Sequence, residues 1–200
     1  MRAPRLISAA LAAAMSAAVL ASGALAGAPT VVRDANDTAG PLDLAAASAQ
    51  IQMKAGKRSL VLRLRTYQSW DPSQIGRPGA AVPNFLSFEF DRNRRRPADR
   101  CLGVAVNSAG ALVGQMNAPC VAVGDRRVGR PVRVRRSDSR HIEVVVPSRL
   151  LGRSANRYTW RATSSFQAAG HKSCAPLSLP PPEQRYGRCA DLTRFTTVRR

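Results

Sequence analysis

Apolar and polar residues alternate along most of the chain from Pro41 onward. This period of two is typical of β-strands with one buried face. Short turns such as Ala55–Lys57 and Asp138–Arg140 separate neighbouring segments, so consecutive strands are predicted to run antiparallel. The clearest alternating segments are Leu60–Arg65, Leu86–Phe90, Leu102–Val106, Val132–Arg135, His141–Val146 and Tyr158–Ala162.

Short strands without long helices between them indicate an antiparallel sandwich or barrel. We predict an all-β fold, an antiparallel β-sandwich of jelly-roll or immunoglobulin-like type. A short strand is expected at Thr30–Val32, a last strand over Leu192–Val198, and one helical turn at Pro147–Leu151 that Gly152 ends. The predicted inward face includes Leu62, Leu64, Leu86, Phe88, Phe90, Val104, Val144, Val146 and Trp160.

The first residues have the pattern of an export signal. Two arginines in Met1–Arg5 precede an uncharged run, Leu6–Ala26, which closes on the small-x-small pattern of a signal-peptidase site. A membrane anchor is the alternative because the run is long enough to span, but serine and glycine interrupt it. We predict a signal peptide over residues 1–26, a flexible segment over residues 27–40 and one sandwich domain over residues 41–200. The protein is then secreted and extracellular, with no membrane span after cleavage.

The four cysteines, Cys101, Cys120, Cys174 and Cys189, all follow the predicted signal. An even number of cysteines in an exported chain predicts two disulfides, for which three connectivities exist. We favour Cys101–Cys120 and Cys174–Cys189, because each closes a short loop and would stabilise the fold by about 3 kcal/mol. No C-x₂-C pair is present, which disfavours a zinc site.

Charge changes this picture, because 31 basic residues oppose 12 acidic ones and give a formal net charge of +19. Nearly all of the basic residues are arginine. Three arginine pairs lie opposite the apolar residues of their strands, so all six side chains are predicted to point to solvent: Arg63 and Arg65, Arg133 and Arg135, and Arg157 and Arg161. A basic loop adds Arg92, Arg94, Arg95, Arg96 and Arg100.

Guanidinium groups bind phosphate, sulfate and carboxylate in a bidentate manner, so an anionic polymer or glycan is the predicted partner. Aromatic residues do not interleave the arginines and no nucleic-acid-binding motif is present, so sequence-specific recognition of nucleic acid is not expected. A basic surface that only maintains solubility is the alternative interpretation.

Several segments together carry a family resemblance. They are D-x-x-D and GPLDL within Asp34–Leu44, LVLRLRT at Leu60–Thr66, FEFDRN at Phe88–Asn93, VVVPSRLLG at Val144–Gly152 and YTWRA at Tyr158–Ala162. This layout resembles secreted actinobacterial β-sandwich domains similar to the DOMON-like and family-nine carbohydrate-binding-module group. The resemblance spans most of residues 31–198 and implies a sandwich of roughly eight to ten strands that acts as a binding or accessory module. Relatives often carry an Asp-rich turn where this chain has Asp91–Arg96, and the arginines in that segment argue against an inherited metal site.

The predicted function is a non-catalytic module that binds carbohydrate or an anionic cell-surface polymer. Tyr67 and Trp70 flank a long loop, where they could stack on a sugar ring, whereas Tyr158 and Trp160 are expected in the core. A secreted hydrolase or enzyme inhibitor that acts through its long loops is the alternative. No catalytic signature motif supports that alternative, and His141 and His171 are expected to be solvated.

Two sets of acidic residues offer other chemistry. Glu89 and Asp91 share a strand face, where paired carboxylates could hydrolyse a glycoside, but ion pairing with Arg92 and Arg94 is favoured. Four aspartates could supply oxygens to Ca²⁺, although solvated loop acids are the simpler interpretation: Asp34, Asp37, Asp43 and Asp191. We therefore predict no cofactor and keep Ca²⁺ as an alternative.

Overall fold

The computed structural model describes residues 27–38, 40–54, 56–76, 84–91, 98–117, 129–152, 157–166 and 190–199. In these ranges the chain is almost entirely antiparallel β-structure, which confirms the predicted all-β class. The strands are β1 Thr30–Arg33, β2 Leu44–Lys54, β3 Lys57–Thr66, β4 Phe85–Asp91, β5 Arg100–Val106, β6 Leu112–Asn117, β7 Arg130–Arg136, β8 His141–Pro147, β9 Arg157–Ser165, β10 Ala190–Leu192 and β11 Thr196–Arg199.

Helical structure in the described ranges consists of a 3₁₀ turn, Pro72–Gln74, and the one-turn helix α1, Ser148–Leu151. The predicted turn near Pro147–Leu151 is thus confirmed, and Gly152 ends it with a positive φ of 90°. Neither helical segment has the length and hydropathy that a bilayer span requires. The predicted signal peptide lies outside the described residues.

The strands follow the order β1-β2-β3-β8-β7-β6-β5-β4-β9-β10, and β11 pairs with β9. Strand β7 joins the two halves of this curled sheet, because Arg133–Arg136 pair with β8 and Arg130–Val132 pair with β6. We call β1, β2, β3, β8 and the second part of β7 the first half, and the remaining strands the second half. The hydrogen bonds trace one continuous sheet, so its finer classification as a sandwich stays a prediction.

One hydrophobic core takes side chains from both halves of the sheet. All nine residues predicted to point inward are at most 2% exposed. Trp160 of β9 packs against Phe88 of β4 with ring centroids 6.3 Å apart, and Tyr158 is also buried, as expected. The alternation of apolar side chains on each strand therefore defines the buried side of the sheet.

The two ends of the described chain meet at the edge of the sheet. The expected short strand near Thr30 is β1, and the Thr30 hydroxyl donates to the carbonyl of Thr197. The prediction of one continuous strand over Leu192–Val198 is wrong, since β10 and β11 pair with β9 separately. Between them the Thr193 hydroxyl accepts the backbone N–H of Ala162 at 2.9 Å, so a side chain takes the place of a ladder carbonyl.

The disulfide pairing stays a prediction. Cys101 lies in β5 and is not a free thiol, whereas the other three cysteines lie outside the described residues. We expect peptide mapping under non-reducing conditions to recover Cys101–Cys120 and Cys174–Cys189. Recovery of Cys101 linked to Cys174 or to Cys189 would refute this pairing.

Gly114 of β6 allows β6 and β7 to approach closely. A Cβ atom at this position would lie 2.5 Å from Cγ2 of Val132 and 3.0 Å from Cγ2 of Val134. We expect Gly114→Ala to lower the free energy of unfolding by about 1–3 kcal/mol, because the stiff valine side chains must move. Gly103→Ala on the neighbouring strand β5 is the control, since its Cβ would meet no atom within 4 Å. Urea unfolding of both variants checks this, and equal losses would contradict it.

Candidate functional site

Five exposed arginines gather on the outer side of the first half of the sheet. Strand pairing aligns Ser48, Arg63, Glu143 and Arg135 in one row across β2, β3, β8 and β7. The structure therefore brings the sequence-predicted pairs on β3 and β7 to one surface, with Arg33 of β1 added to them. We call this surface the basic face: Arg33, Arg63, Arg65, Arg133 and Arg135.

A groove of about 560 Å³ crosses this face above β2. Its floor includes the small side chains of Ala46 and Ser48. Because Ala46 pairs with Arg33 on one side and with Arg65 on the other, guanidinium groups flank the floor from β1 and β3. Short side chains between long basic ones thus create a concave surface that an anionic chain can enter.

Glu143 lies between Arg63 and Arg135 of the basic face and carries a negative charge. It pairs in register with both Arg63 and Arg135, and its Oε2 lies 2.9 Å from Nε of Arg63. The Arg63 and Glu143 side chains are 44% and 28% exposed, so water weakens the ion pair to about 0–1 kcal/mol. An anionic ligand can compete for Arg63 at little cost.

The third predicted pair, on β9, does not behave as expected. Arg157 is exposed but lies in the second half of the sheet. The prediction that Arg161 points to solvent is wrong, because its Nε and Nη2 each lie 2.8 Å from Oε2 of Glu89 on β4. The ring of Phe195 also covers the guanidinium at 4.6 Å, and Arg161 is only 5% exposed.

The expected aromatic platform at Tyr67 and Trp70 is not formed. Trp70 is 3% exposed and its backbone N–H donates to the carbonyl of Ser139 at 3.0 Å. The guanidinium of Arg136 lies over its ring at 4.7 Å, which leaves no free face for a sugar. Tyr67 is half-buried at the rim of the groove, where its hydroxyl donates to the carbonyl of Asp34 at 2.7 Å.

The structure also shows the surroundings of the residues that were considered for catalysis. Nδ1 of His141 lies 2.7 Å from a carboxylate oxygen of Asp138, while the nearby hydroxyl of Ser139 bonds to Ser69. Within the described ranges no hydroxyl bonds to the His141 ring. Glu89 and Asp91 are each 5% exposed, and Glu89 forms an ion pair with Arg161. His171 and residues 92–97 lie outside the described part.

The acids considered for Ca²⁺ are not all solvated. Asp37 is exposed and Asp34 is half-buried, but Asp43 and Asp191 are 1% and 4% exposed. The interpretation of these two as solvated loop acids is wrong, because Asp191 of β10 accepts the backbone N–H of Leu44 next to Asp43. The contact joins the start of β2 to the last part of the chain, which local sequence does not reveal.

A second concavity of about 720 Å³ lies near the 3₁₀ turn. Its described lining runs from Asp71 to Gly76 and includes Asn84 and residues of the β5–β6 turn. Residues 77–83, between Gly76 and Asn84, lie outside the described part. The basic face carries the stronger charge, because the arginines Arg33, Arg63 and Arg65 line its groove.

No protein-family model, no curated protein and no solved structure matches this chain. The described residues define an antiparallel β protein with a basic outer face and a separate group of buried carboxylates.

Proposed function

We propose that this protein is a secreted binding module whose basic face holds an anionic cell-surface polymer, such as an acidic polysaccharide or a phosphate-containing wall polymer. The observation that carries the proposal is the set of five exposed arginines on neighbouring strands beside a groove with a floor of small side chains. Export, expected from residues 1–26, would deliver the module to such polymers.

The spacing of the charges favours a polymer over a small anion. Arg33 and Arg65 are separated by one strand, as are Arg63 and Arg135. Strands lie about 4.8 Å apart, so these pairs span roughly 10 Å across the sheet, and successive outward residues on one strand lie roughly 7 Å apart. A chain with regularly repeated phosphate, sulfate or carboxylate groups can contact several guanidinium groups at once.

Such binding depends on charge rather than on a base or sugar sequence. Each phosphate-type contact releases counterions, so the logarithm of the affinity falls linearly with the logarithm of the salt concentration. The burial of Trp70 removes the stacking platform that a neutral sugar would use, which supports an anionic ligand.

The test is binding to heparin and to polyglycerol phosphate over a salt series. The variant Arg63→Ser/Arg65→Ser/Arg133→Ser removes three charges from the basic face. We expect it to bind about 10–100-fold more weakly and to reduce the salt slope by about 2. The matched control Arg157→Ser/Arg194→Ser/Arg199→Ser removes three exposed charges from the second half of the sheet.

The outcomes distinguish binding at the basic face from binding that depends only on the net charge of the protein. Retention of wild-type affinity by the control supports the basic face as the binding surface. Equal weakening of both triple variants would mean that net charge alone is responsible. Elution of the wild-type protein from both polymers below physiological salt would overturn the proposed function.

Removal of a negative charge from the basic face is a second test of the same surface. Glu143→Gln removes the acidic group between Arg63 and Arg135. We expect it to strengthen binding to both polymers about fivefold, since a unit charge at 4 Å in water is worth about 1 kcal/mol. Asp99→Asn, at the residue that precedes β5 in the second half of the sheet, is the control of equal charge. Unchanged binding by Glu143→Gln would place the polymer elsewhere.

A further inference from the structure

Four aspartates from both ends of the described chain come together beside the start of β2. Asp34 follows β1, Asp37 lies in the loop, Asp43 precedes β2 and Asp191 belongs to β10. Carboxylate oxygens of Asp37, Asp43 and Asp191 lie within 4.8 Å of one another. Ionised carboxylates this close repel one another, so such a gathering of acids is costly unless something neutralises it.

Asp43 is the least satisfied member of this group. It is 1% exposed, and within the described residues neither of its carboxylate oxygens has a hydrogen bond of ordinary geometry, although Asp191 and the backbone of Thr38 lie close to it. Oδ2 of Asp34 also has no partner. Oδ2 of Asp191 accepts the N–H of Leu44 at 2.5 Å. In the described residues none of the four aspartates forms an ion pair with arginine or lysine.

The surroundings of the group disfavour negative charge. Burial, above all, raises the pKa of Asp34 and Asp43, and it raises the pKa of Asp191 to about 8. Asp34 and Asp43 add to the rise for Asp191, whereas a hydrogen bond with Asp191 lowers the pKa of Asp34 and Asp43 and the charge of Asp37 raises it. A buried carboxylate that lacks a partner is destabilising, so these side chains require either protons or a cation.

We propose that Asp37, Asp43 and Asp191, with Asp34 beside them, form a Ca²⁺ site that joins the loop before β2 to strand β10. Carboxylate oxygens are the ligands Ca²⁺ takes, six to eight at about 2.3–2.6 Å, so oxygens on opposite sides of the ion are about 4.6–5.2 Å apart. One oxygen from each of the three carboxylates lies within 4.8 Å of the other two, which is close enough for all three to contact one ion. Mg²⁺ demands an octahedron at about 2.0–2.1 Å and retains waters, which a cluster of buried carboxylates suits less well.

The site connects distant parts of the chain. Asp43 and Asp191 are far apart in sequence, and in the described residues β10 pairs with β9 through three positions. Asp34 also lines one end of the groove on the basic face, and its carbonyl accepts the Tyr67 hydroxyl. A bound Ca²⁺ would therefore stabilise both the edge strand β10 and that end of the groove.

The test uses the full chain freed of metal with a chelator and then titrated with CaCl₂ by calorimetry and by thermal unfolding. At a free Ca²⁺ concentration of 100 times Kd, the melting temperature should rise by about 5–10 °C. Equal MgCl₂ should give a smaller rise. Asp43→Asn should abolish both the heat of binding and the rise, while its metal-free melting temperature matches or exceeds that of the wild type.

Two further variants keep the test decisive. Glu143→Gln removes one negative charge from the basic face and should keep the full response to Ca²⁺. Should Asp43→Asn fail to fold, the exposed Asp37→Asn should weaken Ca²⁺ binding at least tenfold without changing the metal-free melting temperature. If the wild-type protein shows neither a heat of binding nor stabilisation with Ca²⁺, protons neutralise the carboxylates and the proposed Ca²⁺ site is wrong. An unchanged response in a folded Asp43→Asn variant would also overturn the site.

Discussion

Glu89→Ala is expected to lower the free energy of unfolding by about 3–5 kcal/mol, because it leaves the charge of Arg161 in a buried place without its carboxylate. The side chains of Arg161 and Glu89 are only 6% and 7% exposed, and Oε2 of Glu89 lies 2.8 Å from two guanidinium nitrogens. Phe195 lies over the guanidinium and keeps water from it. A buried cation can neither rotate into solvent nor lose its proton, so truncation of the acid has a large effect.

Two controls separate the buried charge from simple loss of a contact. Glu143→Ala breaks the exposed pair with Arg63 and should cost less than about 1 kcal/mol. Glu89→Leu/Arg161→Met removes both charges and should recover most of the stability that Glu89→Ala loses, because two apolar side chains can fill the space. Guanidinium chloride unfolding of the variants measures these differences. A loss from Glu89→Ala no larger than that from Glu143→Ala would contradict the argument.

Local alternation predicted which side of a strand faces the core wherever one side meets solvent. Leu62 and Leu64 are buried while Arg63 and Arg65 are exposed, as the period of two requires. Arg161 obeys the same alternation and is nevertheless buried. Its register partner Glu89 and the covering Phe195 come from other parts of the chain, so the local sequence contains no sign of them.

At the candidate sites, too, local sequence did not reveal contacts with distant parts of the chain. The sequence singled out Trp70 as an exposed ring, but Arg136 at the end of β7 lies over the ring, and Ser139 in the turn before β8 accepts its backbone N–H. It also singled out four aspartates but not the burial of Asp43, which follows from the placement of β10 beside the start of β2. The basic face was predictable, since the arginine pairs on β3 and β7 needed only neighbouring strands to meet, and β8 joins them.

Phe88→Ala is expected to lower the free energy of unfolding by about 3–5 kcal/mol, because the ring is fully buried and its removal leaves a cavity. Phe88 lies in β4 with Leu102 of β5 and Ala162 of β9 as register partners, and its ring packs against Trp160 at a tilt of 49°. Strands hydrogen-bonded on both sides cannot move inward, and the methyl group of Ala162 is too small to fill the space. Val31→Ala is the control: Val31 is 55% exposed on β1, so its truncation should change the stability by less than about 0.5 kcal/mol. Chemical unfolding of both variants measures the contrast, and a comparable effect in the two would mean that Phe88 does not anchor the core.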